Sequence, residues 1–99
     1  MITTHVLDTS KGRPATGVPV VLEHGASVLA RGTTDADGRL KLAEPPAAGE
    51  YRLTFDTKGY LPDGFYPVVT IVFTVRDPKQ HHHVPLLLSP FGYSTYRGS

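Results

Sequence analysis

Most of the chemistry open to this sequence rests on five histidines, one well-placed arginine and an unusual closing tetrapeptide. Three histidines are consecutive, His81-His82-His83, and lead into an apolar run from Val84 to Leu88 with Pro85 inside it. An imidazole titrates near ~6.5, so it can take and return a proton around neutrality. Side chains alternate along an extended chain, which puts His81 and His83 on one face and His82 on the other. Two imidazoles on one face are a start towards a metal site, but zinc needs further converging ligands, and no spacing here supplies them. Residue type alone leaves three readings open for the triplet: a solvated polar turn, an acid–base site or a metal site. His5 sits among Thr4, Val6 and Leu7, where a lone histidine is more often a hydrogen-bonded structural residue than a catalytic one. Arg39 follows directly on Asp37-Gly38, a strong hairpin signal in which glycine takes positive φ at little cost, and an arginine there is usually solvated. Period 2 places Tyr93, Thr95, Arg97 and, if the strand runs on, Ser99 on one face, which would form a polar patch.

These residues need strands to position them. Ten glycines and nine prolines punctuate short runs rich in Val, Leu, Thr and aromatics, the signature of β structure with turns. Strands are expected over Ile2 to Thr9, Val18 to His24, Ser27 to Thr33, Leu40 to Leu42, Tyr51 to Asp56 and Val68 to Arg76. Two closing strands follow, one over Val84 to Leu88 and one from Tyr93 onwards. Pro19 belongs at an edge or at a strand's start. The Tyr51 segment alternates cleanly, with Tyr51, Leu53 and Phe55 facing one way. Thr57 to Pro67 holds two glycines and two prolines and has room for at most one helical turn. About eight strands at this spacing predict an all-β, two-sheet sandwich forming one domain over residues 1–99.

Composition excludes several classes. Ten basic against nine acidic residues give no field that favours nucleic acid or an anionic membrane. No cysteine is present, which removes disulfides and thiol chemistry and fits a reducing compartment. The start of the chain, Met1-Ile2-Thr3-Thr4-His5, has no basic region followed by an apolar run, and no apolar run approaches the ~20 residues that span a bilayer. A soluble, cytoplasmic protein is the expectation. There is no glycine-rich phosphate loop, nucleophile elbow or His-Glu-x-x-His.

Four stretches together resemble the transthyretin-related family of 5-hydroxyisourate hydrolases: THVLDTSKGRPA (Thr4 to Ala15), TTDADGRL (Thr33 to Leu40), FYPVVTIVFTVRDP (Phe65 to Pro78) and HHHVPLLLSPFGYSTYRGS (His81 to Ser99). The closing YRGS is the most specific of these marks. The resemblance implies a transthyretin-like sandwich assembled as a homotetramer, with active sites in the channel between dimers. It implies hydrolysis of 5-hydroxyisourate, the unstable product of urate oxidation, to 2-oxo-4-hydroxy-4-carboxy-5-ureidoimidazoline, with no metal or other cofactor. By the same resemblance His5, Arg39, His83 and Ser99 are catalytic, and Tyr96, Arg97 and Gly98 complete the tetrapeptide against the substrate. Three departures stand out: His82 where tyrosine is common, Val68 where an acidic residue is common, and a segment Thr57 to Gly64 shorter than the usual helical insertion. They bear on a local helix and on edge contacts. A small-ligand carrier, a non-catalytic interaction sandwich and a metal site on His81 and His83 are the rival readings.

Overall fold

A computed structural model describes residues 1–99. Nine strands form two sheets: β1 (Ile2–Asp8), β2 (Arg13–Pro14), β3 (Pro19–His24), β4 (Ser27–Thr33), β5 (Arg39–Ala43), β6 (Gly49–Asp56), β7 (Val68–Val75), β8 (His82–Ser89) and β9 (Gly92–Thr95). One sheet runs β2-β1-β8-β9 with β5 also paired to β1, and the other runs β4-β3-β6-β7. The all-β sandwich is as expected, and no helix forms. In the short Thr57 to Gly64 segment one turn closes through Leu61 N–H to the Thr57 carbonyl at 2.8 Å and a second through Gly64 N–H to the Leu61 carbonyl at 3.0 Å.

Alternation explains the core. Ile2, Thr4, Val6 and Asp8 of β1 point inwards and are at most 1% exposed. Ile2 and Val6 meet Val20 and Leu22 of β3, Tyr51, Leu53 and Phe55 of β6, and Leu86 and Leu88 of β8 in one buried cluster. Cutting Phe55 or Tyr51 back to alanine would cost about 3–5 kcal/mol, the usual figure for a buried aromatic. Polar groups that follow the inward pattern are satisfied. Asp8 accepts from Ser10 Oγ at 2.6 Å and from Tyr60 Oη at 2.7 Å, and no buried side-chain N or O lacks a partner. Pro19 opens β3, where its missing N–H is tolerated in a central strand.

Two differences from the sequence expectation matter for the site. The ninth strand, β2, is a two-residue pairing with Leu7 and Asp8, too short to carry a hydrophobic period. The Asp37-Gly38 turn is not a hairpin. Its flanking strands, β4 and β5, lie in different sheets, so the turn carries the chain across the sandwich. The Asp35 carboxylate holds the turn by accepting from the N–H groups of Asp37 and Arg39, both at 2.9 Å. Gly38 has φ 73°, and any Cβ there would collide with the Val6 carbonyl of β1. Glycine is therefore required twice, by conformation and by the close approach of two backbones.

Candidate active site

Strand β1 is the hub. Along one edge it pairs in parallel with β8, matching Thr3 to His83 and His5 to Pro85. Along the other it pairs antiparallel with β5, matching Thr3 to Lys41 and His5 to Arg39. The odd-numbered residues of β1, facing away from the core, therefore lie between the cations of β5 and the imidazoles of β8. A cleft of about 490 Å³ opens there, lined by Thr3, Arg39, Lys41, His81, His83 and Ser99 among others, and Leu40 is its one hydrophobic wall residue.

Of the residues singled out from sequence, the structure brings Arg39, His83 and Ser99 to this cleft. His5 stands beside it with its ring centroid 6.5 Å from that of His83. His5 Nε2 lies 2.8 Å from the Asp37 carbonyl. A carbonyl only accepts, so Nε2 carries the proton and the ring is anchored to the crossover turn. Arg39 is exposed, and its guanidinium makes no ion pair or hydrogen bond within the chain. It is a planar fork of donors with nothing to donate to, the arrangement suited to an oxyanion or a pair of carbonyls. Gly98 donates its N–H to the His83 carbonyl at 2.8 Å and bridges β8. A Cβ on Gly98 would come 2.5 Å from His83 Cδ2, so the last glycine packs directly against the imidazole.

Tyr96 and Arg97 are placed differently. Strand β9 ends at Thr95, and the alternation expected to run on to Ser99 stops with it. Arg97 Nη2 reaches the Gln80 side chain and the His81 carbonyl, both at 3.4 Å. Both residues line a second, smaller cavity of about 230 Å³ together with Ile71, Val72, Phe73 and His82. His82 is 4% exposed and turned away from the cleft, as the alternation required.

Burial is the largest influence on His83 and disfavours its charged form, and the nearby positive charges of Arg39, His5 and His81 act in the same direction. The ring is therefore held below the ordinary histidine value of 6.5 and stays a neutral base at neutral pH. His82 is also lowered, again chiefly by burial, with its bond to the Gln80 carbonyl opposing. No cluster of three or more His, Cys, Asp or Glu side chains is arranged to hold a metal.

Among the cleft's lining residues, sequence reasoning did not single out Thr3 or Lys41, and it weighed His81 only within the triplet and as a metal ligand. Lys41 was open to discovery, because it follows Arg39 at i+2 on the same strand face. Thr3 was not, since its partners, His81 just before β8 and His83 on it, are 78 and 80 residues away.

A family model described as HIUase/Transthyretin family matches residues 2–98. This chain belongs to that family. The 5-hydroxyisourate hydrolase of Halalkalibacterium halodurans is 47% identical over 115 residues, covering 99% of this chain and 97% of that protein. The bifunctional uric acid degradation protein TTL of Arabidopsis thaliana is 46% identical over 119 residues, but this family member covers only 37% of its length. Among solved structures, Klebsiella pneumoniae 5-hydroxyisourate hydrolase superposes with a TM-score of 0.89 at 39% identity, covering 99% of this chain and 98% of the other. Sea bream transthyretin in complex with thyroxine gives 0.88 at 34% identity, covering 98% and 93%. No helix of this family member is long and apolar enough to cross a membrane.

Proposed function

We propose that this chain, acting as one domain, hydrolyses 5-hydroxyisourate by attack of water on its cyclic amide, in the degradation of urate and without a metal. The observation that carries this reading is the cleft itself, where a neutral, half-buried imidazole (His83) faces the same space as an unpaired guanidinium (Arg39). That is a base and an electrophilic anchor in one polar cavity, and relatives covered almost end to end bear this activity in their names. In the proposed mechanism a water lies between His83 and His5. His83 takes its proton as the oxygen bonds to the amide carbon, and Arg39 donates hydrogen bonds to the developing oxyanion. Ser99, at the cleft wall, holds the substrate or the water. Gly98 keeps the approach to His83 open. Arg97 acts from behind, fixing the closing residues through Gln80 and the His81 carbonyl, with Tyr96 beside it in the smaller cavity.

We propose in addition that the molecule works as a cytoplasmic homotetramer. Strands β7 and β9 each pair on one side only, and Phe65, Val68, Val72, Phe91 and Tyr96 leave apolar area in water at 68%, 46%, 57%, 79% and 56% exposure. Open edges with apolar flanks favour pairing between copies. A monomeric mass by light scattering at micromolar concentration would refute this part.

The carrier reading draws support from the likeness to thyroxine-bound transthyretin. Against it stands the polarity of the cleft, with one hydrophobic wall residue, since carrier pockets for small molecules are lined mostly by apolar side chains. One assay separates the two. Urate is oxidised by a separate urate oxidase and the decay of 5-hydroxyisourate is followed by ultraviolet absorbance, with and without the protein. Faster decay that vanishes in His83→Ala supports the hydrolase. Decay at the uncatalysed rate with folded protein removes it.

A further inference from the structure

Between the two imidazoles of the cleft lies a hydroxyl that the mechanism so far leaves idle. Thr3 Oγ1 is 2.7 Å from His83 Nδ1 and 3.0 Å from His81 Nε2. Thr3 itself is 8% exposed, fixed on β1 between Lys41 and His83. The two rings stand 6.3 Å apart and do not touch each other directly. We propose, on the basis of the hydrolase reading, that Thr3 joins His81 to His83 as a proton relay, so that the base of the reaction is the pair and not His83 alone.

Donor counting fixes the direction. A threonine hydroxyl has one hydrogen, so it can donate to only one of the two rings and must accept from the other. For His83 to take a proton from water at Nε2 while neutral, its own hydrogen must sit on Nδ1. Nδ1–H then donates to Thr3 Oγ1, and the Thr3 hydroxyl donates to His81 Nε2, leaving the His81 hydrogen on Nδ1. This is the one neutral arrangement of the trio that leaves a lone pair on His83 Nε2. In that arrangement Thr3 supports the reactive tautomer by accepting from His83 Nδ1–H, which is a positioning role.

Proton transfer follows the same line. As water attacks, one water O–H bond breaks and its proton bonds to His83 Nε2. His83 passes its Nδ1 proton to Thr3 Oγ1, while the Thr3 proton moves to His81 Nε2. His83 is neutral again and His81 is the imidazolium. When the C–N bond of the ring breaks, the shift reverses: Nε2–H goes to the departing nitrogen, Nδ1 recovers its proton from Thr3, and Thr3 recovers its own from His81. No atom or charge is left over. The gain is electrostatic. His83 is half-buried beside Arg39 and His5, where a positive charge is unwelcome, whereas His81 is exposed and water can solvate its charge. The charged and titratable groups around the pair are His5 on β1, Arg39 and Lys41 on β5, and Asp35 in the crossover turn.

The test compares Thr3→Val, which keeps the shape, Thr3→Ser, which keeps the hydroxyl, and His81→Ala. Thr3→Val is expected to lower kcat about 10–100-fold, less than the ~10²–10⁴-fold for losing a whole acid–base group because His83 remains, with KM within about 2-fold. Thr3→Ser should restore kcat to within about 3-fold of wild type, because the donor and acceptor return. His81→Ala combined with Thr3→Val should lose little more than either alone, since members of one relay are not additive. Unchanged kcat in Thr3→Val, a serine variant as impaired as the valine one, or additive losses would each overturn the relay. Nitrogen NMR of the imidazole rings gives a readout that needs no turnover. In alkaline solution the wild type should carry the His83 hydrogen on Nδ1 and the His81 hydrogen on Nδ1, and Thr3→Val should lose that preference. A His83 hydrogen on Nε2 in the wild type would overturn the proposal even in an active enzyme. The expected tautomers in a protein that does not speed 5-hydroxyisourate decay would instead sink the hydrolase reading and leave the hydrogen-bonded trio standing.

Discussion

The molecule has two cavities that share strand β8 as a wall: His82 and His83 both border the smaller one, and only His83 also reaches the larger. His83 looks into a polar cleft with Arg39, Lys41 and Ser99. His82 turns towards Ile71, Val72 and Phe73 in a space about half as large. Both rings are lowered from the ordinary histidine value, and burial is the leading cause in each. Their surroundings then diverge. His82 is 4% exposed and its Nδ1 is committed to the Gln80 carbonyl at 2.9 Å. His83 keeps Nε2 free of any partner in the chain and faces an unpaired guanidinium. A perturbed imidazole therefore marks a reaction site only when an open cavity and a complementary charge come with it.

The sharpest way to break this comparison is to exchange the fates of the two histidines. His83→Ala should lower kcat/KM for 5-hydroxyisourate about 10²–10⁴-fold, the range for losing a positioned acid–base group. The circular dichroism spectrum should not change, because the ring sits at a cleft wall and outside the core. A smaller effect comes from Arg39→Met, which removes the electrophile and keeps the length. About 10²–10³-fold loss in kcat is expected, as for removing one oxyanion donor. If Arg39→Met raised KM alone, the guanidinium would be a substrate anchor with no part in stabilising the oxyanion.

Next in size is Gly98→Ala. The added methyl would lie 2.5 Å from His83 Cδ2, so the ring or the closing segment must move. A displacement approaching 1 Å at a reacting group can cost about 10²-fold. We expect kcat to fall about 10–100-fold while the melting temperature changes by no more than a few degrees. Unchanged kinetics would show that the closing residues are free to shift and do not hold His83 in place.

What the sequence revealed of this arrangement follows from its range along the chain. The opposite orientations of His82 and His83 were legible because period 2 is local. So were the buried face of β6 and Gly38's positive φ. Thr3 escaped because its role depends on the parallel register of β1 with β8, a pairing across nearly the whole chain that no local pattern encodes. The Asp37-Gly38 turn looked like a hairpin because turn chemistry reports the bend and is silent about which sheet each strand joins. Arg97 was expected to share a face with Thr95 and Ser99. The bridge from Gly98 to His83 instead ends the alternation after Thr95 and sends Arg97 to the other cavity. Strand β2 has only two residues, too few for an alternation to repeat.

The smallest expected effect on rate, and the one that sharpens the comparison most, comes from His82→Tyr. The cavity beside His82 gives the larger ring room, and the cleft is on the opposite face, so kcat should stay within about 2-fold of wild type, as for other substitutions that do not touch a reacting group. Stability should respond instead. His82 binds its proton less readily folded than unfolded. Its contribution to stability is therefore complete above the unfolded value of 6.5 and is lost as pH falls from there towards the lowered folded value. A tyrosine does not titrate in that window. The variant should show a shallower fall of melting temperature between pH 7 and pH 5, with a remainder set by His83, which is lowered in the same sense. Each such histidine contributes at most about 1.4 kcal/mol per pH unit within its window. An unaltered slope would mean that His82 is hydrated when the protein is folded. An unaltered slope with a large loss of rate would mean that the second cavity communicates with the first, and the division of β8 into a reactive face and a structural face would have to be given up.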